Sequence, residues 1–202
     1  MATFRQRGKL TRDDMAGAWW LVGASMAGAV LGTYIATTLG KRQMELAIGV
    51  VMVIILITIF VNPKKWLREK SELQDGRPSL GRLGLFFVIG AYGGFVQAGV
   101  GVFLLTALVL GVGYTLVEAN IVKLVIVLML TLVALVVFII SPVEINWGIG
   151  LLMSVGQMIG AWAAALFATR VPNANVWVRR LLIVVVIYSI LRFFGILDLI
   201  LA

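Results

Sequence analysis

The sequence predicts an all-α protein, a polytopic bundle of membrane helices with about six hydrophobic segments. Three observations carry that prediction. Of 202 residues 61% are apolar and 13% charged, with a mean hydropathy of +1.06. A soluble domain holds about 45–50% apolar and about 25% charged residues. Several uncharged runs approach or exceed the roughly 20 residues needed to cross a hydrocarbon core about 30 Å thick. The basic residues behind the net charge of +8 mostly flank those runs, where positive charge sets orientation. The excess therefore reads as membrane topology, not as a nucleic-acid surface, and the lipid bilayer is the first expected partner.

Segment A runs from about Met15 to Leu39, behind the basic start "MATFRQRGKLTRDDMAGAWW". Its apolar stretch is too long for a signal peptide, so it should remain as a span. Segment B covers Met44 to Val61. The polar "NPKKWLREKSELQDGRPSLGR" (62–82) follows and reads as a cytoplasmic loop. Segment C, Leu83 to Gly113, contains "GAYGGFVQAGVGVFLL", which puts five glycines into the twelve residues 90–101. Each glycine weakens a helix by roughly 1 kcal/mol against alanine, so C is expected to be discontinuous or a re-entrant pair of half-helices. Segment D runs from about Leu116 to Ile140. Segment E opens at "SPVE", where Ser141 can cap, Pro142 can take the first helical position and Glu144 can complete a capping box. It ends near Thr169, and segment F covers Val176 to Phe194. Trp19, Trp20, Trp66, Trp147 and Trp177 read as interface anchors.

An internal repeat organises these segments. "SMAGAVLGTYIAT" (25–37) aligns with "QMIGAWAAALFAT" (157–169) at an offset of 132. The small-residue ladder Ala24, Gly28, Gly32, Ala36 maps onto Gly156, Gly160, Ala164, Ala168, and Asp14 onto Asn146. Small residues four apart share a helix face and let two backbones approach closely in lipid. One membrane domain, 1–202, thus divides into a partial first repeat (11–61), the loop (62–82) and a complete second repeat (83–195). Partners of C and D would precede Met1, so in-frame upstream sequence is expected to encode a glycine-rich segment and an Asn/Lys-bearing helix. Failing that, two chains should complement each other as a homodimer.

The chain has no Cys and no His. That excludes disulfides, thiolate chemistry, imidazole metal sites and Ser-His catalysis. No metal, cofactor or enzymatic activity is expected, and no serine lies within helical reach of Lys123 for a Ser–Lys hydrolase. Two features remain. Broken helix at membrane depth is tolerated only inside protein or beside a wet cavity, and in transporters such breaks aim backbone N–H groups at anions. Gly93, Gly94, Gly99 and Gly101, with Gln97 as an uncharged donor, suit that role; close helix packing is the other use of the same glycines. Lys123 lies well inside an apolar run, a position that marks a site by default. Asn120, three residues earlier, shares its face, so amide and ammonium can form an oxyanion clamp. The alternative is a lysine that snorkels to headgroups, paired with Glu118.

In order, "GAYGGFVQAGVG", "EANIVKL", "GQMIGAWAAALFATRVPN" and "WVRRLL" resemble the C-terminal half of the TauE/SafE family, also called sulfite exporters or toluene-sulfonate uptake permeases. "FRQRGKLTRDDM" and "GAVLGTYIATTL" resemble the middle of that family, so the likeness spans nearly the whole chain. Relative to the family pattern the first glycine-rich opening is missing, as the repeat also indicates. The resemblance implies an inner-membrane secondary transporter of small sulfur-containing or organic anions such as sulfite or sulfonates. The implied anion site is Gly93, Gly94, Gln97, Gly99, Gly101, Asn120 and Lys123, with Glu118 the nearest carboxylate for proton coupling. A non-transporting assembly subunit and an anion channel are the rival readings.

Overall fold

Helix α1 (Arg12–Thr38) carries the first copy of the small-residue ladder, and that ladder sets how its neighbours pack. The computed structural model describes residues 12–60, 78–171 and 174–194 of the chain. Among them every regular element is helical. After α1 come α2 (Lys41–Phe60), α3 (Leu80–Phe95) and α4 (Val100–Thr106), which runs into a π-helical turn (Ala107–Val112). Then follow α5 (Leu116–Ile140), α6 (Trp147–Arg170) and α7 (Ala174–Phe193). Three stretches among the described residues are long and apolar enough to cross a membrane: Gly17–Thr38, Leu116–Ile140 and Trp147–Phe167. Leu80–Phe95 and Val100–Val112 are apolar but shorter. Trp66 and most of the polar loop lie outside the described residues.

The described residues form two compact units, divided at Ala36/Thr37 and Val137/Phe138. The first holds most of α1 with α3, α4, the π turn and α5. The second holds α2, α6 and α7.

In the first unit, α1 and α3 cross with the glycines of each helix set against the backbone of the other. A Cβ at Gly28 would stand 2.7 Å from the Ala91 nitrogen, and one at Gly32 2.7 Å from the Ala91 carbonyl carbon. In return, a Cβ at Gly90 would meet Ser25 Cα at 2.7 Å, and one at Gly94 would meet Ala29 Cα at 2.7 Å. Lipid tails are as apolar as leucine, so helices in a bilayer associate through packing, not through escape from water. Backbone-to-backbone approach of this kind is what two Gly-xxx-Gly faces permit. The Thr33 hydroxyl adds a buried hydrogen bond of 2.9 Å to the Gly94 carbonyl. Around this crossing Leu21, Phe86, Leu104, Leu108, Ile126 and Leu130 are almost wholly buried and join α1, α3, α4, the π turn and α5 into one core. In the second unit, α7 packs against α2 and α6. Gly49 of α2 makes room for the Phe194 ring, 3.0 Å from where its Cβ would be.

The helix starts follow their caps. Gly40 N–H donates to Gln43 Oε1 at 3.1 Å, the reach-back half of a capping box, and opens α2. Thr115 and Glu118 make the full box at α5: Thr115 N–H and Oγ1 donate to Glu118 Oε2 at 3.0 and 2.8 Å, and Glu118 N–H donates to Thr115 Oγ1 at 3.3 Å.

The expected box at Ser141–Glu144 is corrected by the structure. Ser141 Oγ donates back to the Phe138 carbonyl at 2.7 Å, so it closes α5 and does not open α6. Pro142 then follows a helix end, where a residue without an N–H is common. The true cap of α6 is Asn146, whose Oδ1 accepts from Ile149 N–H at 3.1 Å.

Candidate functional site

The glycine-rich stretch breaks the helix between Phe95 and Val100. Helix α3 ends as Val96 N–H donates to the Tyr92 carbonyl at 3.1 Å. Gln97 then takes a left-handed backbone, φ 59°, and Gly99 another, φ 72°. For glycine that conformation costs nothing, whereas a residue with a Cβ is disfavoured by roughly 1–2 kcal/mol. Side chains hold the turn. The Tyr92 hydroxyl donates to the Ala98 carbonyl at 2.5 Å, and Gln97 Nε2 donates to Thr131 Oγ1 on α5 at 2.8 Å.

Beyond the turn the chain folds back. The Tyr92 and Phe103 rings meet edge to face with centroids 5.4 Å apart. A Cβ at Gly93 would lie 3.0 Å from Val100 Cγ2 and 3.1 Å from Leu130 Cδ1. Residues 92 and 103 would stand about 16 Å apart along one straight helix, at 1.5 Å per residue. Both α4 and the π turn contact α3. The returning arm ends at Gly113, φ 92°, whose N–H donates to the Leu108 carbonyl at 3.1 Å.

Helix α5 supplies the charge. Lys123 Nζ donates to Asn120 Oδ1 at 2.6 Å, the shared face that their three-residue spacing predicts. Glu118 instead turns back to Thr115, so the expected alternative of a Glu118–Lys123 pair is not what forms. The aliphatic stem of Lys123 lies against the start of α4: its Cδ is 3.7 Å from where a Cβ on Gly101 would be.

Of the residues singled out in the sequence, Lys123 therefore meets Asn120 through its ammonium and Gly101 through its stem. Gly93 and Gln97 sit at the level of Leu130 and Thr131, eight residues or about 12 Å further along α5. Gly99 lies exposed in the turn between them. Gly94 faces the other way, onto Ala29 of α1. An apolar cleft of about 560 Å³, lined by Trp19, Trp20, Gly23, Ala24 and Leu83, contains none of these groups. Sequence reasoning passed over Tyr92 and Thr131. Thr131 had a signal, being the sole polar residue from Leu124 to Ile140.

A helix broken within an apolar chain, glycines packed on a neighbouring backbone and a lysine whose stem lies against the residue after the break define a helical membrane protein. The family model described as Sulfite exporter TauE/SafE matches residues 1–193. The chain belongs to that family, whose members are membrane transporters and not enzymes. Searches of curated proteins and of solved structures found no match.

Proposed function

We propose that the chain is a multi-pass inner-membrane secondary transporter of small sulfur-containing or organic anions such as sulfite and sulfonates. It works by alternating access around a site where Gly101, at the start of α4, lies beside Lys123 and its partner Asn120. The observation that carries this reading is the meeting of Lys123 with Gly101. Lys123 lies seven residues into α5, about 10 Å from its start, and its hydrogen-bond partner is a neutral amide. That partner brings no negative charge, and an incoming anion is the natural stabiliser of an ammonium in an apolar slab. Gly101 beside it lets that anion approach the backbone.

Lengths support a re-entrant segment. At 1.5 Å per residue α3 spans about 24 Å, and α4 with the π turn about 20 Å, both short of a core about 30 Å thick. They meet beside Leu130 and Thr131, close to the middle of the 25-residue α5. Two half-helices joined near the midplane match the discontinuous elements that hold substrate in many transporters.

Thermal stability of the purified protein, read with and without sulfite, tests the function, since a ligand stabilises only by binding the folded state. Sulfite should raise the Tm of the wild type and leave Lys123→Ala unchanged. A wild type indifferent to sulfite and to sulfonates would favour a non-transporting subunit.

A further inference from the structure

The one strained side-chain-bearing residue at the break is fastened to α5 by a hydrogen bond whose direction only one partner can set. We propose that Thr131 is a positioning residue: it fixes Gln97 in the left-handed conformation and turns its amide so that nitrogen, not oxygen, faces α5. This rests on the anion-site reading for its effect on substrate, but not for its effect on the backbone.

A threonine hydroxyl has one proton to give. Thr131 Oγ1 donates that proton to the Val127 carbonyl one turn earlier, at 2.8 Å. Toward Gln97 the oxygen can then only accept, so the amide must present its NH₂ group, as the 2.8 Å contact from Nε2 shows. Reversal of the amide would set two acceptors against each other. Gln97 is the single non-glycine residue of positive φ among the described residues, and such outliers persist where surrounding contacts over-determine them. Three contacts do so here. The Tyr92 hydroxyl holds the Ala98 carbonyl, Gly93 lets Val100 and Leu130 close on the turn, and Thr131 takes the side chain.

Thr131 is itself exposed, near the middle of a helix otherwise apolar from Leu124 onward. A polar bond left open at that depth belongs beside a wet or protein-lined space. Lys123, Val127 and Thr131 follow one another at four-residue spacing, so the residue that orients the turn and the residue that carries the charge lie on one side of α5. The hydroxyl thereby holds the turn from which α4 brings Gly101 beside Lys123, without touching the anion.

Thr131→Val keeps the side-chain shape and removes the acceptor; Thr131→Ser restores it. Hydrogen exchange of the full-length protein in nanodiscs reads the backbone directly. Amides of residues 97–101 should exchange faster in Thr131→Val and return to the wild-type rate in Thr131→Ser, while α6 stays unchanged in both. Unchanged exchange in Thr131→Val, or a serine variant no better than valine, overturns the assignment whether or not an anion binds. Sulfite binding on the same samples should weaken by about tenfold in Thr131→Val, the loss of one hydrogen bond's worth of organisation, and recover in Thr131→Ser. A wild type that fails to bind sulfite overturns the functional reading and the substrate half of this proposal, leaving the exchange result to decide the backbone half.

Discussion

Lys123 and Gly94 answer to different measurements, because the structure puts them on opposite sides of the broken helix. Lys123→Ala removes the charge beside Gly101 and no core packing, so insertion and thermal stability should hold while sulfite affinity is lost. A direct binding measurement checks this, and wild-type affinity in the variant would mean that the lysine only snorkels. Gly94→Ala drives a Cβ toward the Ala29 backbone. Overpacking of this kind costs about 1–3 kcal/mol, so the expected result is a Tm lowered by several degrees. Gly101→Ala meets nothing nearer than Lys123 Cδ at 3.7 Å; it should keep its Tm and lose anion affinity instead. Glycine in both positions looked alike in the sequence. What separates them is which neighbour the missing Cβ faces, and that depends on α1, some sixty residues away.

At the level of elements, caps decide where the apolar runs begin and end. Leu116–Ile140 was legible almost to the residue, because its apolar run ends at polar groups on both sides. The start of α6 was not. Ser141, Pro142 and Glu144 satisfy the pattern of a helix start, yet the same Ser-Pro pair serves equally well as a helix stop, and the Phe138 carbonyl takes the hydroxyl. Asn146→Ala should therefore destabilise by about 1 kcal/mol, the usual cost of a lost N-cap, whereas Glu144→Ala should leave a urea or thermal midpoint unmoved. For α5, Glu118→Gln separates cap from proton relay. Glutamine keeps a capping box but cannot carry a titrating proton. We expect Tm and transport to survive this change; loss of pH-driven transport at unchanged Tm would assign the carboxylate to coupling.

For the whole molecule, the positive-inside rule chooses between two paths for the broken segment. With the 62–82 loop cytoplasmic, a re-entrant α3–α4 hairpin puts Arg170, Arg179 and Arg180 on the cytoplasmic side and Arg192 outside. A single crossing would reverse those assignments. A hairpin path would therefore gather more basic residues inside, and it would make the repeat expected from the sequence an inverted one, as in many transporters. Arg180 lies over the Trp177 ring at 5.7 Å, early in α7, an arrangement suited to a headgroup boundary. A C-terminal reporter should accordingly report a location outside the cytoplasm, and a cytoplasmic signal would mean that the segment crosses once.

Composition and periodicity alone determined the all-helical membrane class, the place of the glycine break and the shared face of Asn120 and Lys123. Each of these depends only on residues near one another in the chain, through apolar run length, helix propensity and three-residue spacing. Tertiary structure alone decided that Gly90 and Gly94 serve the crossing with α1, that Lys123 reaches Gly101, and that Thr131 holds Gln97. Those outcomes depend on which helices lie side by side. A glycine face or a lone threonine in an apolar helix is compatible with several neighbours until the fold selects one.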